Sequence, residues 1–236
     1  MRRVCANARY FAAESSQVPI DVSAGEVAAG MCVDFYGRYQ AQAVGGQRVG
    51  YVAPVGATVV NADPAAVLRG APNPEAAERF IRFLLTPRGQ GLWNFRVGDP
   101  LGPEVFELRR TPVRRDTYAL YAARMIDRAN PFEAASELPP GTPSYFDVIP
   151  IVLHAMAVDV HDDLRAAWRT LQSEPDAGRR EAMLGSFDAL PFSQEELAQA
   201  PRRWKSDPQA QTSDRLAWTR FFLAQYRKIA DLGAGR

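Results

Sequence analysis

Two oxygen-bearing side chains stand at the end of an apolar run. In Val27-Ala-Ala-Gly-Met-Cys-Val-Asp-Phe-Tyr-Gly-Arg38, Met31, Cys32 and Val33 lead into Asp34 and Tyr36, directly before Gly37. A carboxylate and a phenol two residues apart are hard oxygen donors, suited to Fe(III) or to hydrogen-bonding a polar solute. A structural use competes with this: Asp34 can cap a helix starting at Gly37, with Tyr36 in the core. Ser15 and Ser16 precede a helix predicted over 18–27. Hydroxyls and backbone N–H groups at a helix N-terminus can hold an anion or serve only as the cap.

The two histidines, His154 and His161, fall in HAMAVDVHDD with Asp159, Asp162 and Asp163. Seven residues separate them, so both rings share a helical face two turns apart, too far to ligate one ion without a bend. The metal assignment is therefore left unknown. No G-x-S-x-G elbow, Cys/His pairing or G-x-x-x-x-G-K loop is present, which points away from an enzyme and from a bound cofactor. RRTPVRR, Arg109 to Arg115, is a local basic patch read as a solvated loop.

The net charge of +1 gives no strong field to attract nucleic acid or an anionic membrane surface. Lys205 and Lys228 are the two lysines among 28 basic residues, so arginine carries almost all positive charge. Two cysteines are too few for a disulfide framework. No apolar run reaches the ~20 residues of a membrane span. The opening MRRVCANARYFAAESS lacks the apolar core of a signal peptide.

The elements that must position these residues divide along the chain. Helical spacing is predicted at 2–13, 18–27 and 37–44. Strands are predicted at 30–36, 48–53, 58–60 and 65–68. Asn73 before Pro74, with Glu75 and Glu78 in the first turns, opens a helix through PEAAERFIRFLL, followed at once by another turn in PRGQGLWNF. Residues 98–112 read as a Pro- and Gly-rich loop. Beyond it the pattern is helical at 116–129, 146–157, 162–172, 179–187, 193–200 and 213–232, with a capping box at Ser193 and Glu196.

Four stretches, SSQVPIDVSAGEVAAGMCVDFYGRYQ, RVGYVAPVGATVV, AAVLRGAPNPEAAERFIRFLLTPRGQGLW and, more weakly, VGDPLGPEVFELRR, resemble the later part of bacterial extracellular solute-binding proteins of the type 2 periplasmic-binding fold, near the ferric-ion-binding group. The third is the most specific, through Gly70, Asn73, Glu75, Phe80, Leu84 and Gln90. The resemblance covers roughly residues 10–110. It implies an α/β fold: a remnant of a second lobe over 1–47, a return crossover and part of a first lobe over 48–115, and a mainly helical region over 116–236.

By the same resemblance the chain is the C-terminal part of a substrate-binding component of an ABC-type importer. Its full-length parent would be a periplasmic monomer that captures a small polar solute or ferric ion between two lobes and delivers it to a membrane permease. Ser15, Ser16, Asp34 and Tyr36 would line that cleft. The relatives that bind iron carry adjacent tyrosines where this chain has Phe35 and Tyr36, which favours a solute in general over iron in particular. The competing expectation is a helical protein–protein interaction module with no transport role.

Overall fold

A computed structural model describes residues 1–60, 64–136 and 145–234, and the chain divides into two compact units: Met1–Phe11 with Pro139–Arg236, and Ala12–Leu138. The helices are α1 (Arg2–Ala6), α2 (Gln17–Ala24), α3 (Asp34–Ala43), α4 (Pro74–Leu84), α5 (Pro87–Asn94), α6 (Arg115–Tyr121), α7 (Pro131–Ala134), α8 (Ile149–Leu153), α9 (His161–Ser173), α10 (Ala177–Asp188), α11 (Gln194–Ser206) and α12 (Pro208–Ala234). A π-helical turn, His154–Val158, continues α8.

The α/β sheet expected from the sequence does not form. Among the described residues there is no strand, and the one isolated antiparallel bridge joins Phe95 to Met125. The partial periplasmic-binding fold is thereby corrected to a helical architecture. The physical reason lies in pairing, because an extended segment becomes a strand only when a neighbour takes up its N–H and C=O groups. Residues 48–60 find only a short partner distant in sequence, with the Gly56 N–H donating to the Ala134 carbonyl (2.8 Å) and the Ser136 N–H to that of Thr58 (2.9 Å). The run through Met31 and Val33 stays extended to the N-cap Val33 (ψ 138°), and α3 then opens at Asp34.

In the unit Ala12–Leu138, caps set the helix boundaries. Gly25 ends α2 in the left-handed conformation (φ 80°), a position that suits a residue without Cβ. The Asn73 side chain accepts from the Ala76 N–H at 3.0 Å, and Thr86 caps α5 through the Gly89 N–H, also at 3.0 Å. Two buried amides then tie α5 to the chain that follows. Gln90 donates to the Leu84 carbonyl (2.7 Å) and accepts from the Val113 N–H (2.7 Å). Asn94, fully buried, accepts from the Asp127 N–H (3.0 Å) and donates to the Arg110 carbonyl (3.1 Å). Around them sits a small core of Phe95, Tyr118 and Met125, flanked by Leu101, Tyr121 and Phe132.

The other unit is a helical bundle with a much larger core. Leu164, Ala167 and Leu171 of α9 meet Phe222, Tyr226 and Ile229 of α12, with Met183 and Phe187 of α10 and Trp204 of α11 closing the interior. Phe222 and Tyr226 stack at 6.2 Å, and the Tyr226 hydroxyl donates to the Met156 carbonyl of the π turn (2.9 Å). Gly233 allows α12 to approach α9 closely, since a Cβ there would lie 2.4 Å from the Thr170 methyl. Ion pairs fasten the outer edge: Arg227 to Asp163 at 3.0 Å and Arg215 to Asp159 at 2.8 Å. The predicted capping box at Ser193 and Glu196 is present, and α11 runs past the predicted end at 200 to Ser206, with Pro201 inside it.

The N-terminal segment belongs to this bundle. Arg2 is buried, its guanidinium lies 4.9 Å from the Phe222 ring centre, and it donates to the Ala189 carbonyl at 3.0 Å. Burial lowers the pKa of that guanidinium, while the aromatic faces offset part of the cost of enclosing a cation.

Candidate functional site

The four residues expected to contact a ligand all lie in the unit Ala12–Leu138, at the starts of α2 and α3, two helices that pack together. Ser16 is the N-cap of α2, yet its hydroxyl accepts no helix N–H, and Ser15 is exposed in the preceding turn. Neither hydroxyl is used in the ordinary capping bond, so both stand available at a helix N-terminus. Gly30 fits against this helix, because a Cβ there would lie 2.2 Å from a Val18 methyl.

Asp34 is the first residue of α3, where a carboxylate complements the helix dipole. Its charge is already answered one turn later by Arg38, in an ion pair whose side chains are 35% and 14% exposed. Tyr36 is half-buried against Phe35, ring centres 4.4 Å apart, and its hydroxyl makes no hydrogen bond with a described residue. Asp34 is thus partly engaged, whereas the Tyr36 phenol is open.

Gly37, expected to start a helix over 37–44, lies inside α3, which opens at Asp34, and is there for close approach. A Cβ at that position would lie 2.5 Å from the Tyr51 ring and 2.9 Å from the Cys32 sulfur. The Tyr51 ring in turn lies under the Arg38 guanidinium at 5.3 Å. Burial raises the pKa of both the Tyr51 phenol and the Cys32 thiol, and nearby Asp34 adds to each rise. Both therefore stay protonated at neutral pH, which makes the Cys32 sulfur a poor nucleophile or metal ligand.

The basic patch RRTPVRR is not a solvated loop but a set of fasteners. Arg109 pairs with Asp127, both side chains nearly enclosed at 13% and 10% exposure. It also exchanges hydrogen bonds with Arg38: the Arg109 guanidinium donates to the Arg38 carbonyl (3.0 Å), and Arg38 to the Arg109 carbonyl (3.3 Å). Arg109 holds a left-handed backbone (φ 53°), uncommon outside glycine. The Arg110 guanidinium lies 3.9 Å from the Phe35 ring centre, and that of Arg115 lies 4.2 Å from that of Phe132. Arg114 joins Asp116 (2.9 Å) and the Leu85 carbonyl (3.2 Å). Asp34, Arg38, Arg109 and Asp127 thus form one charged clasp over three segments of chain. Nothing in the local sequence marks Arg109 or Asp127 for that role, since both partners of each bond lie far apart along the chain.

The histidines do not form a metal centre. His154 faces Asp159 at 3.4 Å, and that carboxylate is held from the other side by both prongs of Arg215. His161 places Nε2 3.2 Å from the Cys5 carbonyl and packs edge-on against Phe11. No group of three or more His, Cys, Asp or Glu side chains among the described residues could hold a metal ion.

A separate open groove of about 740 Å³ is lined by Phe83 of α4, Arg88 and Leu92 of α5, and Val97, Pro100 and Glu104 of the segment that follows. Its lining mixes apolar side chains with the charged Arg88, Asp99 and Glu104.

Comparison with curated proteins and with solved structures gives no match. A comparison with protein families does give one, and it spans the helices that carry all four candidate residues while leaving α6 to α12 outside. Residues 5–94 match the family model of the bacterial extracellular solute-binding proteins.

Proposed function

We propose that the chain acts in solute uptake as the binding component of an ABC-type importer, working outside the cytoplasmic membrane with a membrane permease. The observation that carries this reading is the family match over residues 5–94, within which Ser15, Ser16, Asp34 and Tyr36 all fall. The action is capture, not chemistry. Open hydroxyls at the start of α2, an open phenol at Tyr36 and a carboxylate at Asp34 supply donors and acceptors for a small polar solute. Ferric ion is a narrower form of the same reading, in which the Tyr36 phenolate and the Asp34 carboxylate would be hard ligands. For that, Asp34 must leave Arg38.

The test is thermal stabilisation of the full chain by ferric nitrilotriacetate, methylphosphonate and a set of amino acids and small sugars. A binder present at 100 times its Kd adds about 2.7 kcal/mol to the stability of the unit that holds it, a rise in Tm of several degrees. Tyr36→Phe should reduce that rise while leaving the ligand-free Tm nearly unchanged, and Asp34→Asn should reduce it too, from a lower ligand-free Tm because Arg38 loses its counter-ion. If a probe stabilises both variants as well as the parent chain, these residues do not form the site. Ferric binding has its own signature, since a phenolate–Fe(III) bond absorbs visible light.

A further inference from the structure

The unit Ala12–Leu138 has a small core and leaves many large apolar side chains exposed. A folded monomer of 26.1 kDa exposes about 10,600 Å², and two separate bodies sharing that mass about 12,700 Å², whereas this chain exposes 15712 Å². The excess of about 3,000 Å² needs no assumption about how the units are arranged. Within the unit, Val55 is 83% exposed, Leu68 79%, Phe106 74% and Phe80 60%. Helix α4 has no fully buried residue although its apolar positions repeat at helical spacing. Ala77, Ile81 and Leu84 are partly covered, while Phe80 and Phe83 are exposed, and Phe83 lines the groove together with Leu92 and Val97.

We infer that the outer face of α4 and the groove beside it form an interface with a second copy of this chain. Two features select that occupant. The first is area: a stable dimer buries about 1,600 Å² in total, roughly 800 Å² per chain, and the surface that the whole chain exposes beyond two folded bodies of its mass is large enough to supply it. The second is charge. Arg88 and Glu104 both line the groove, and neither has an ion-pair or hydrogen-bond partner among the described residues. In a two-fold pair the same patch meets itself, so Arg88 of each copy can face Glu104 of the other, twice over. The exposed Phe80 then anchors the centre, where a buried aromatic contributes most. This pairing replaces the monomer expected from the sequence and stands independently of the solute reading.

The experiment is sedimentation equilibrium on the full chain across a wide concentration range. The expected species has twice the 26.1 kDa chain mass. Phe80→Asp should weaken the pair by ~30-fold or more, as loss of an interface anchor does. Arg88→Glu should weaken it by ~10-fold, and Arg88→Glu combined with Glu104→Arg should restore it to within about threefold of the parent chain. That restoration keeps the test decisive even if Phe80→Asp fails to fold. A monomer at every concentration, growth beyond the dimer, or a charge swap that restores nothing would each overturn the proposal.

Discussion

Replacing Arg109 by alanine leaves Asp127 enclosed without its counter-ion, and the structure fixes what this should cost. The Asp127 side chain is 10% exposed, and after the loss of Arg109 its carboxylate keeps only a long bond from Asn94 at 3.4 Å. Breaking one side of such a pair destabilises by about 3–5 kcal/mol. The backbone supplies an internal control. At φ 53° both arginine and alanine are strained by roughly 1 kcal/mol, whereas glycine is not, so Arg109→Gly should be about 1 kcal/mol more stable than Arg109→Ala. Asp127→Asn removes the charge that needs pairing while keeping the shape. The double variant Arg109→Ala/Asp127→Asn should therefore recover about 2 kcal/mol relative to the sum of the single losses.

Hydrogen exchange read on peptides covering 94–127 reports this unit apart from the helical bundle, and opening free energies come from the protected amides. Amides of α3 should loosen with it, because Arg38 and Arg109 hold each other's carbonyls. A loss within about 0.5 kcal/mol for Arg109→Ala, additivity in the double variant, or a glycine variant weaker than the alanine one would each refute the clasp.

Three further outcomes follow from the packing. Gly37→Ala gains about 1 kcal/mol of helix propensity but drives a Cβ against Tyr51 and Cys32, so a net loss of about 1–2 kcal/mol is expected, and a stabilised variant would refute the close approach. Phe222→Ala empties a fully buried position in the bundle and releases one aromatic face from Arg2. It should cost about 3–5 kcal/mol in urea unfolding of the bundle and leave exchange in 94–127 unchanged. Tyr118 donates to the Pro112 carbonyl, and burial raises its phenol to about 12. Because that folded-state pKa exceeds the unfolded value of 10.0, its contribution is complete below pH 10 and is lost as pH rises from 10 toward 12. Phenolate absorbance should show this late titration, and Tyr118→Phe should flatten the alkaline limb of the stability curve.

Much of the helical framework was legible because its signals are local. Asn73-Pro74, Thr86-Pro87 and the Ser193/Glu196 box each fix a helix start with side chains three residues away or nearer. The long amphipathic segment that became α12 was read for the same reason, although it begins at Pro208, five residues earlier than predicted. The failures share the opposite property. Residues 30–36 look like a buried strand by composition, but a strand depends on a neighbour that the local run does not specify, and Asp34 instead opens a helix closed by Arg38. The close approach at Gly37 was not legible because the residue it makes room for, Tyr51, lies fourteen positions on. The arginines of RRTPVRR read as solvated because Phe35, Asp127 and Phe132 are distant in sequence. At the candidate site the sequence singled out Tyr36 and Asp34 by residue type alone, and it did not foresee that Asp34 would share its charge with Arg38.

Calorimetric titration of the full chain tests the central claim most directly, using whichever of the named probes stabilises it most. Solute capture at the starts of α2 and α3 predicts a saturating isotherm with one site per chain, weakened at least tenfold in Asp34→Asn/Tyr36→Phe and unchanged in Arg88→Glu. A chain that gives no heat with any of the probes, or a double variant that binds as tightly as the parent, would contradict it.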